Sequence, residues 1–214
     1  MIHYDHDSFP QGGEAWIQCR VGKITASRAK DARDTLKSGK PSAKQTAYAA
    51  QVAVERIAGK PIDKTFQSWQ MKEGNEQEPI ARRAYEARTG NLVEEVGAIA
   101  TDDDCFLYSP DGLIDDDGLL EIKCLFSPER ILEIVASGDH SDFIDQCMFG
   151  LWLTGRKWID LVIWVPSLDH MVIKRITRDE NAIEALEADM IAFSKIVKAN
   201  EDALRSALAL NNQN

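Results

Sequence analysis

The sequence predicts an α/β domain with a central mixed β-sheet flanked by helices. Three observations carry this expectation. Strand-like runs occupy 92–125 and 158–176, with a helix-like stretch between them. Two capping-box patterns, Ser42-Ala43-Lys44-Gln45 and Thr177-Arg178-Asp179-Glu180, each open a helical segment. No internal repeat, long linker or low-complexity tract interrupts the 214 residues, a length suited to one domain with a substantial core.

Taken in order, Met1 to Gln11 is polar and reads as a mobile terminus carrying His3 and His6. From Trp16 the chain reads as strand-like or irregular, and Thr25-Ala26-Ser27 then looks like a helix start. Lys37 to Pro41 is a loop. The Ser42 helix runs to about Ala58 and stops at Gly59-Lys60-Pro61; a further helix covers Asn75 to Arg88. Strands follow over 92–100 and 105–109. Leu113-Ile114 and Leu119-Leu120 read as arms of a hairpin turned by Asp117-Gly118, because glycine takes positive φ without steric cost. Ser127-Pro128 opens a helix that Gly138 closes, and 142–153 is helical up to Gly155. Strands 158–165 and 170–176 join across Pro166 to Asp169. The terminal helix, about 178–210, carries apolar positions Ile183, Leu186, Met190, Phe193, Val197, Leu204 and Leu208 at a spacing of three and four. The single domain thus divides into a basic helical segment (about 16–64), a core (about 69–177) and this helix.

Formal net charge is −10, which at first argues against a polyanionic partner. Its distribution argues otherwise. From Arg20 to Lys64, eleven Lys/Arg face four acids; between Arg88 and Lys123 there are ten acids and no Lys or Arg. A basic segment beside an acidic, cation-seeking one suits a nuclease, although both could be solvated faces. Cys19, Cys105, Cys124 and Cys147 show no paired spacing and are expected reduced and buried. No apolar run matches a membrane span and no secretion signal is seen, so a cytoplasmic protein is expected.

The chemistry centres on the hairpin. Alternation along a strand points Glu121 and Lys123 the same way and Ile122 into packing. A hairpin that returns Glu121 beside Asp111 joins two carboxylates and an ammonium at one point, as a hard divalent cation and a positioned water require. Glu78 adds a carboxylate from the preceding helix, and Gln146 can face the same point from the following one. Asp115, Asp116 and Asp117 are read as solvated acids at the hairpin tip. No histidine spacing suits a metal. Trp152, Trp158 and Trp164 are read as packing, while Trp16 and Trp69 are left open.

These pieces together resemble the PD-(D/E)xK nucleases, and more narrowly the phage lambda exonuclease or YqaJ-like alkaline exonuclease family. The markers are Trp16-Ile17-Gln18-Cys19-Arg20-Val21-Gly22-Lys23-Ile24-Thr25-Ala26-Ser27, Gly74 to Pro79, Ser109-Pro110-Asp111-Gly112, Glu121-Ile122-Lys123-Cys124, and Gln146 to Gly155. The resemblance implies a restriction-endonuclease-like core and an exonuclease that degrades one strand of duplex DNA from its 5′ end. It implies Mg²⁺, with Mn²⁺ an option and two ions per site, held by Asp111, Glu121, Glu78 and the Ile122 carbonyl. Lys123 would orient or deprotonate the attacking water, supported by Gln146. Arg20, Ser27 and Ser109 would bind the terminal 5′ phosphate. The family's arginine after the ExK strand falls at Glu129, so Arg130 beside it is the candidate here. A ring-shaped homotrimer around the duplex and a single-strand annealing recombinase as partner are also implied. The rival reading is an endonuclease of the same superfamily, acting in repair or restriction.

Overall fold

The computed structural model describes residues 1–62 and 69–211, with no side-chain description at 69–71 and 211. Asp63 and Lys64, at the end of the basic segment, and the Trp69 side chain therefore lie outside it. Among the described residues are eight strands: β1 (Ile2–Asp5), β2 (Ile24–Thr25), β3 (Val96–Ala100), β4 (Phe106–Tyr108), β5 (Gly112–Ile114), β6 (Gly118–Cys124), β7 (Trp158–Val165) and β8 (His170–Thr177). The helices are α1 (Glu14–Cys19), α2 (Ala29–Arg33), α3 (Ala43–Ala58), α4 (Trp69–Thr89), α5 (Pro128–Ile131), α6 (Ser141–Thr154) and α7 (Glu180–Asn211).

The architecture is α/β with mixed sheets flanked by helices, but the sheet is divided. One four-stranded sheet has the order β1-β3-β4-β2 and the other β5-β6-β7-β8. Each is mixed, with one parallel pair: β2 with β4, and β6 with β7. Glu94 and Leu113 exchange both main-chain hydrogen bonds (2.8 and 2.9 Å), which stitches the sheets together. On one face of the second sheet, Ala81 and Tyr85 of α4 pack against Ile114, Leu120, Ile122 and Val162. The principal core holds Leu119 and Leu161 together with Phe149 of α6 and Leu186, Met190 and Phe193 of α7.

Several local expectations need correction. Trp16 lies in helix α1 rather than in a strand, and β1 shows that part of the polar terminus pairs with β3. Ser42 caps α3 by accepting from the Lys44 and Gln45 N–H groups, yet the Gln45 side chain donates to Ala32 instead of closing the box. At α7 the cap is Asp179, which accepts from the Asn181 and Ala182 N–H groups; Thr177 ends β8. The hairpin pairs Ile114 with Gly118, leaving a three-residue connection, and its positive φ falls on Asp115 (44°). Gly118 serves another purpose. A Cβ there would lie 2.3 Å from the Trp158 ring, so the position is small for packing rather than for the turn.

Candidate active site

The site is built where the β5–β6 hairpin meets α4 and α6. Asp111 extends the hairpin ladder, its N–H donating to Leu120 O at 3.1 Å. Its carboxylate accepts from the Ile122 N–H, so the strand bearing Glu121 and Lys123 also fixes the Asp111 side chain. Glu121 is 2% exposed. One of its oxygens accepts from Gln146 Nε2 and lies 2.8 Å from Lys123 Nζ. The other accepts from the Tyr108 hydroxyl at 3.0 Å. Gly150 makes this possible, since a Cβ there would lie 2.6 Å from the Tyr108 ring. Without a side chain, α6 closes on Tyr108 and brings Gln146, one turn earlier, onto Glu121.

Glu78 arrives from α4, which starts earlier than its sequence signals suggest and continues through Pro79. Arg82, one turn on, donates to Glu78 at 2.7 Å, pairs with Glu95 at 2.6 Å and donates to the Asp111 carbonyl at 3.1 Å. Glu78, Asp111, Glu121, Ile122, Lys123 and Gln146 all line one cavity of about 420 Å³. Burial, then the charges of Glu121 and Glu78, hold the Asp111 carboxyl well above the usual carboxylate range. Burial also raises Glu78, with Arg82 pulling the other way. Lys123 resists its own burial because Glu121 and Asp111 outweigh it and push its pKa up.

Among the described residues, no three His, Cys, Asp or Glu side chains close a ready cage around an ion. The three carboxylates instead border an open cavity with surplus negative charge, and every donor they offer is oxygen. That chemistry fits a hard divalent cation which keeps water and phosphate among its ligands.

At the other end of the same cavity, Arg20 donates to Ser109 Oγ and Ser27 Oγ, both at 3.2 Å. Its guanidinium lies 4.3 Å from the Trp16 ring centroid, and Trp16 Nε1 donates to Ser109 Oγ at 3.0 Å. Among the described residues Arg20 has no carboxylate partner, and burial depresses its pKa. A half-buried guanidinium that meets hydroxyls and an indole, with no carboxylate paired to it among the described residues, suits an anion. The structure therefore brings Arg20, Ser27 and Ser109 together with Glu78, Asp111, Glu121, Ile122, Lys123 and Gln146. It does not bring Arg130, which pairs with Glu133 (2.7 Å) and Asp142 (2.9 Å) beside a separate hollow.

Two site residues escaped the sequence reading, Tyr108 and Arg82, while Trp16, a marker whose role was left open, lines the cavity. Arg82 had a usable signal, a position four residues after Glu78 on a helix. Tyr108 had none, since its contact depends on how α6 packs. Several cations of the basic segment are paired with acids. Lys23 pairs with Asp104, Arg28 with Asp31, Lys30 with Asp142, Arg33 with Asp145 and Asp189, and Arg56 with Glu201. Besides Arg20, the described cations of this segment left without a carboxylate are Lys37, Lys40, Lys44 and Lys60, all exposed.

Comparison with known proteins gives the following. A family model described as the YqaJ-like viral recombinase domain matches residues 15–157. The alkaline exonuclease LHK-Exo from Laribacter hongkongensis is 33% identical, with a TM-score of 0.80 over 92% of this chain and 98% of that one. LHK-Exo in complex with dAMP gives 33% identity and a TM-score of 0.81 over 92% of this chain and 100% of that one. A phage-related exonuclease from Haemophilus somnus 129PT, 13% identical, shares the fold with a TM-score of 0.65 over 87% of this chain and 96% of that one. A sequence comparison with curated proteins gives no match.

Proposed function

Because the chain belongs to the YqaJ-like viral recombinase domain family, we propose that it is a deoxyribonuclease acting as an exonuclease in phage-type recombination. In this reading it degrades the 5′-ended strand of duplex DNA and leaves a 3′ overhang. One observation carries it: a carboxylate cluster with a lysine, and a half-buried arginine with no carboxylate paired to it among the described residues, line a single cavity. The first suits phosphodiester hydrolysis and the second suits a terminal phosphate. A solved relative holds dAMP, a 5′-phosphorylated mononucleotide, which is the kind of product such an enzyme releases.

Asp111, Glu121, Glu78 and the Ile122 carbonyl would hold Mg²⁺, or Mn²⁺ in its place. A bound divalent cation would supply Lewis acidity for activating water and offsetting charge at the phosphate. The chain's own residues supply the rest. Arg20, Ser27 and Ser109 bind the terminal phosphate and so set the distance to the bond that is cut. Lys123 presents a cation and a donor to the water and to the scissile phosphate. Gln146 and Tyr108 hold Glu121 in place. Hydrolysis joins the water oxygen to phosphorus and breaks the bond to the 3′ oxygen. The shortened strand keeps a 5′ phosphate, which re-enters the Arg20 end.

The unpaired lysines 37, 40, 44 and 60 are the candidate contacts to duplex backbone. No helix among the described residues is long and apolar enough to cross a membrane. The reading includes a ring-shaped homotrimer around DNA, a single-strand annealing partner and a cytoplasmic site of action, all following from the family resemblance. Linear duplexes labelled at either end, with and without 5′ phosphate and with metal omitted, test the proposal. Metal-dependent loss of the 5′ label, faster with the phosphate, is expected; nicking of closed circular DNA would move the enzyme to the endonuclease class.

A further inference from the structure

The catalytic cavity continues past Lys123. A second hollow of about 260 Å³ adjoins it, walled by Phe126 and Phe143 with Ser127 and Arg130 alongside. The two share Lys123 and Cys124. At the far end, a different hollow shares Trp16, Arg20 and Ser27 with the cavity. Asp111 and Glu121 border neither of these hollows; a third hollow meets the cavity at Glu78 and Asp111. A strand crossing the cavity from the Arg20 hollow to the Arg130 hollow would pass the carboxylates and then Lys123.

We propose that the Phe143–Arg130 hollow is the subsite for the nucleotide immediately downstream of the bond being cut. Arg130 takes the second internal phosphodiester of the strand, and the Phe143 ring takes the face of the second base. The inference rests on the nuclease reading and deepens it. It also gives Arg130 a different task from terminal-phosphate binding, a task that suits its position.

The chemistry supports that assignment. Arg130 is held by Glu133 and Asp142, both substantially exposed, and exposed pairs of this kind are weak enough to be exchanged for a phosphate. A guanidinium fork matches phosphate geometry better than it matches two separate carboxylates. Phe143 is half-buried, with Lys123 Nζ 6.0 Å from its ring centroid, so one cation lies between the carboxylates and the aromatic wall. Stacking on an aromatic face tolerates any base, as an enzyme digesting arbitrary sequence requires.

The test uses 5′-phosphorylated linear duplexes with a neutral methylphosphonate at the second internal linkage, compared with one at the sixth. Wild-type protein should cut the first linkage about tenfold more slowly with the second-linkage substitution, the loss expected for one charged contact. Arg130→Gln should be slow on unmodified DNA and show no further loss from the methylphosphonate. Phe143→Leu should behave in the same way toward an abasic second nucleotide. Equal additional losses in wild type and Arg130→Gln would overturn the proposal. Anisotropy titration of the same duplexes in metal-free buffer gives a readout independent of turnover. If the wild type fails to cut but its binding still senses the second linkage through Arg130, the subsite stands and the nuclease reading falls. If it cuts and neither readout couples to Arg130, the subsite alone falls.

Discussion

Two buried acids on neighbouring strands of one sheet have opposite surroundings. Asp160 on β7 is 2% exposed, as is Glu121 on β6. The Asp160 carboxylate is fully partnered: Tyr85 OH donates at 2.7 Å, and Arg175 donates through Nε and Nη2, both at 2.8 Å. Arg175 in turn lies 3.7 Å over the Trp158 ring. That cluster has one acid, one cation and a packed aromatic lid. At Glu121 the sheet and α4 together gather Asp111 and Glu78 as well, against Lys123 and Arg82, and border a cavity. Burial of a carboxylate is common to both, so burial does not mark function. Crowded like charges beside open space do.

The largest test of that contrast is Asp111→Asn. Turnover should fall by at least about 10³-fold, because the variant removes an oxygen charge from the reacting centre. Stability should move the other way in metal-free buffer. Asparagine can still accept from the Ile122 N–H while relieving repulsion from Glu121 and Glu78. Because the folded chain raises the Asp111 pKa, the wild type loses stability as pH climbs above the ordinary carboxylate range, and the variant's advantage should widen over that interval. Thermal unfolding across pH, with and without Mg²⁺, checks both signs. An Asp111→Asn protein that unfolds earlier than wild type would make this acid a structural one like Asp160.

Arg20 offers the next largest effect and extends the contrast to cations. Arg175 is balanced by Asp160, whereas among the described residues Arg20 meets hydroxyls and an indole and pairs with no carboxylate. Inorganic phosphate should therefore stabilise the wild type, by about 2.7 kcal/mol at a hundredfold excess over its dissociation constant. Arg20→Ala should abolish that stabilisation and cut the preference for 5′-phosphorylated over hydroxyl ends by roughly tenfold to a hundredfold. An unchanged end preference would remove Arg20 from the pocket. Asp160→Asn gives the converse result. It should cost about 2 kcal/mol of stability, since Tyr85 loses its acceptor and Arg175 half of its pair, with activity per folded molecule unchanged.

How far the sequence foretold these surroundings depends on the range of the contacts. Asp111, Glu121 and Lys123 were legible because hairpin pairing and strand alternation act over a few residues. Glu78 and Gln146 were legible as helix residues flanking the sheet, but only α4 and α6 packing could put them against Glu121. Tyr108 and the Gly150 gap belong wholly to that packing. The basic segment misled for a related reason. Composition counts charges, whereas Arg33 meets Asp145 and Asp189 from remote parts of the chain. Division of the sheet was not legible either, since it depends on which distant strands pair.

The hairpin tip gives the smallest and most local test. Asp115, Asp116 and Asp117 are acids within a few residues of Asp111, yet none borders the catalytic cavity. Their task is the turn, and Asp115 carries its positive φ. Asp115→Gly should relieve that conformation while making the unfolded chain more flexible, so stability should shift by less than about 1 kcal/mol in either direction. Metal affinity by calorimetry and turnover should not change. Gly118→Ala is the informative partner, because its new methyl group meets the Trp158 ring within the Asp160 cluster. A stability loss of about 1–3 kcal/mol is expected from that overpacking. If Asp115→Gly lowered metal affinity while Gly118→Ala was tolerated, the tip acids would belong to the active site, and the division between charged turn and catalytic carboxylates would have been drawn in the wrong place.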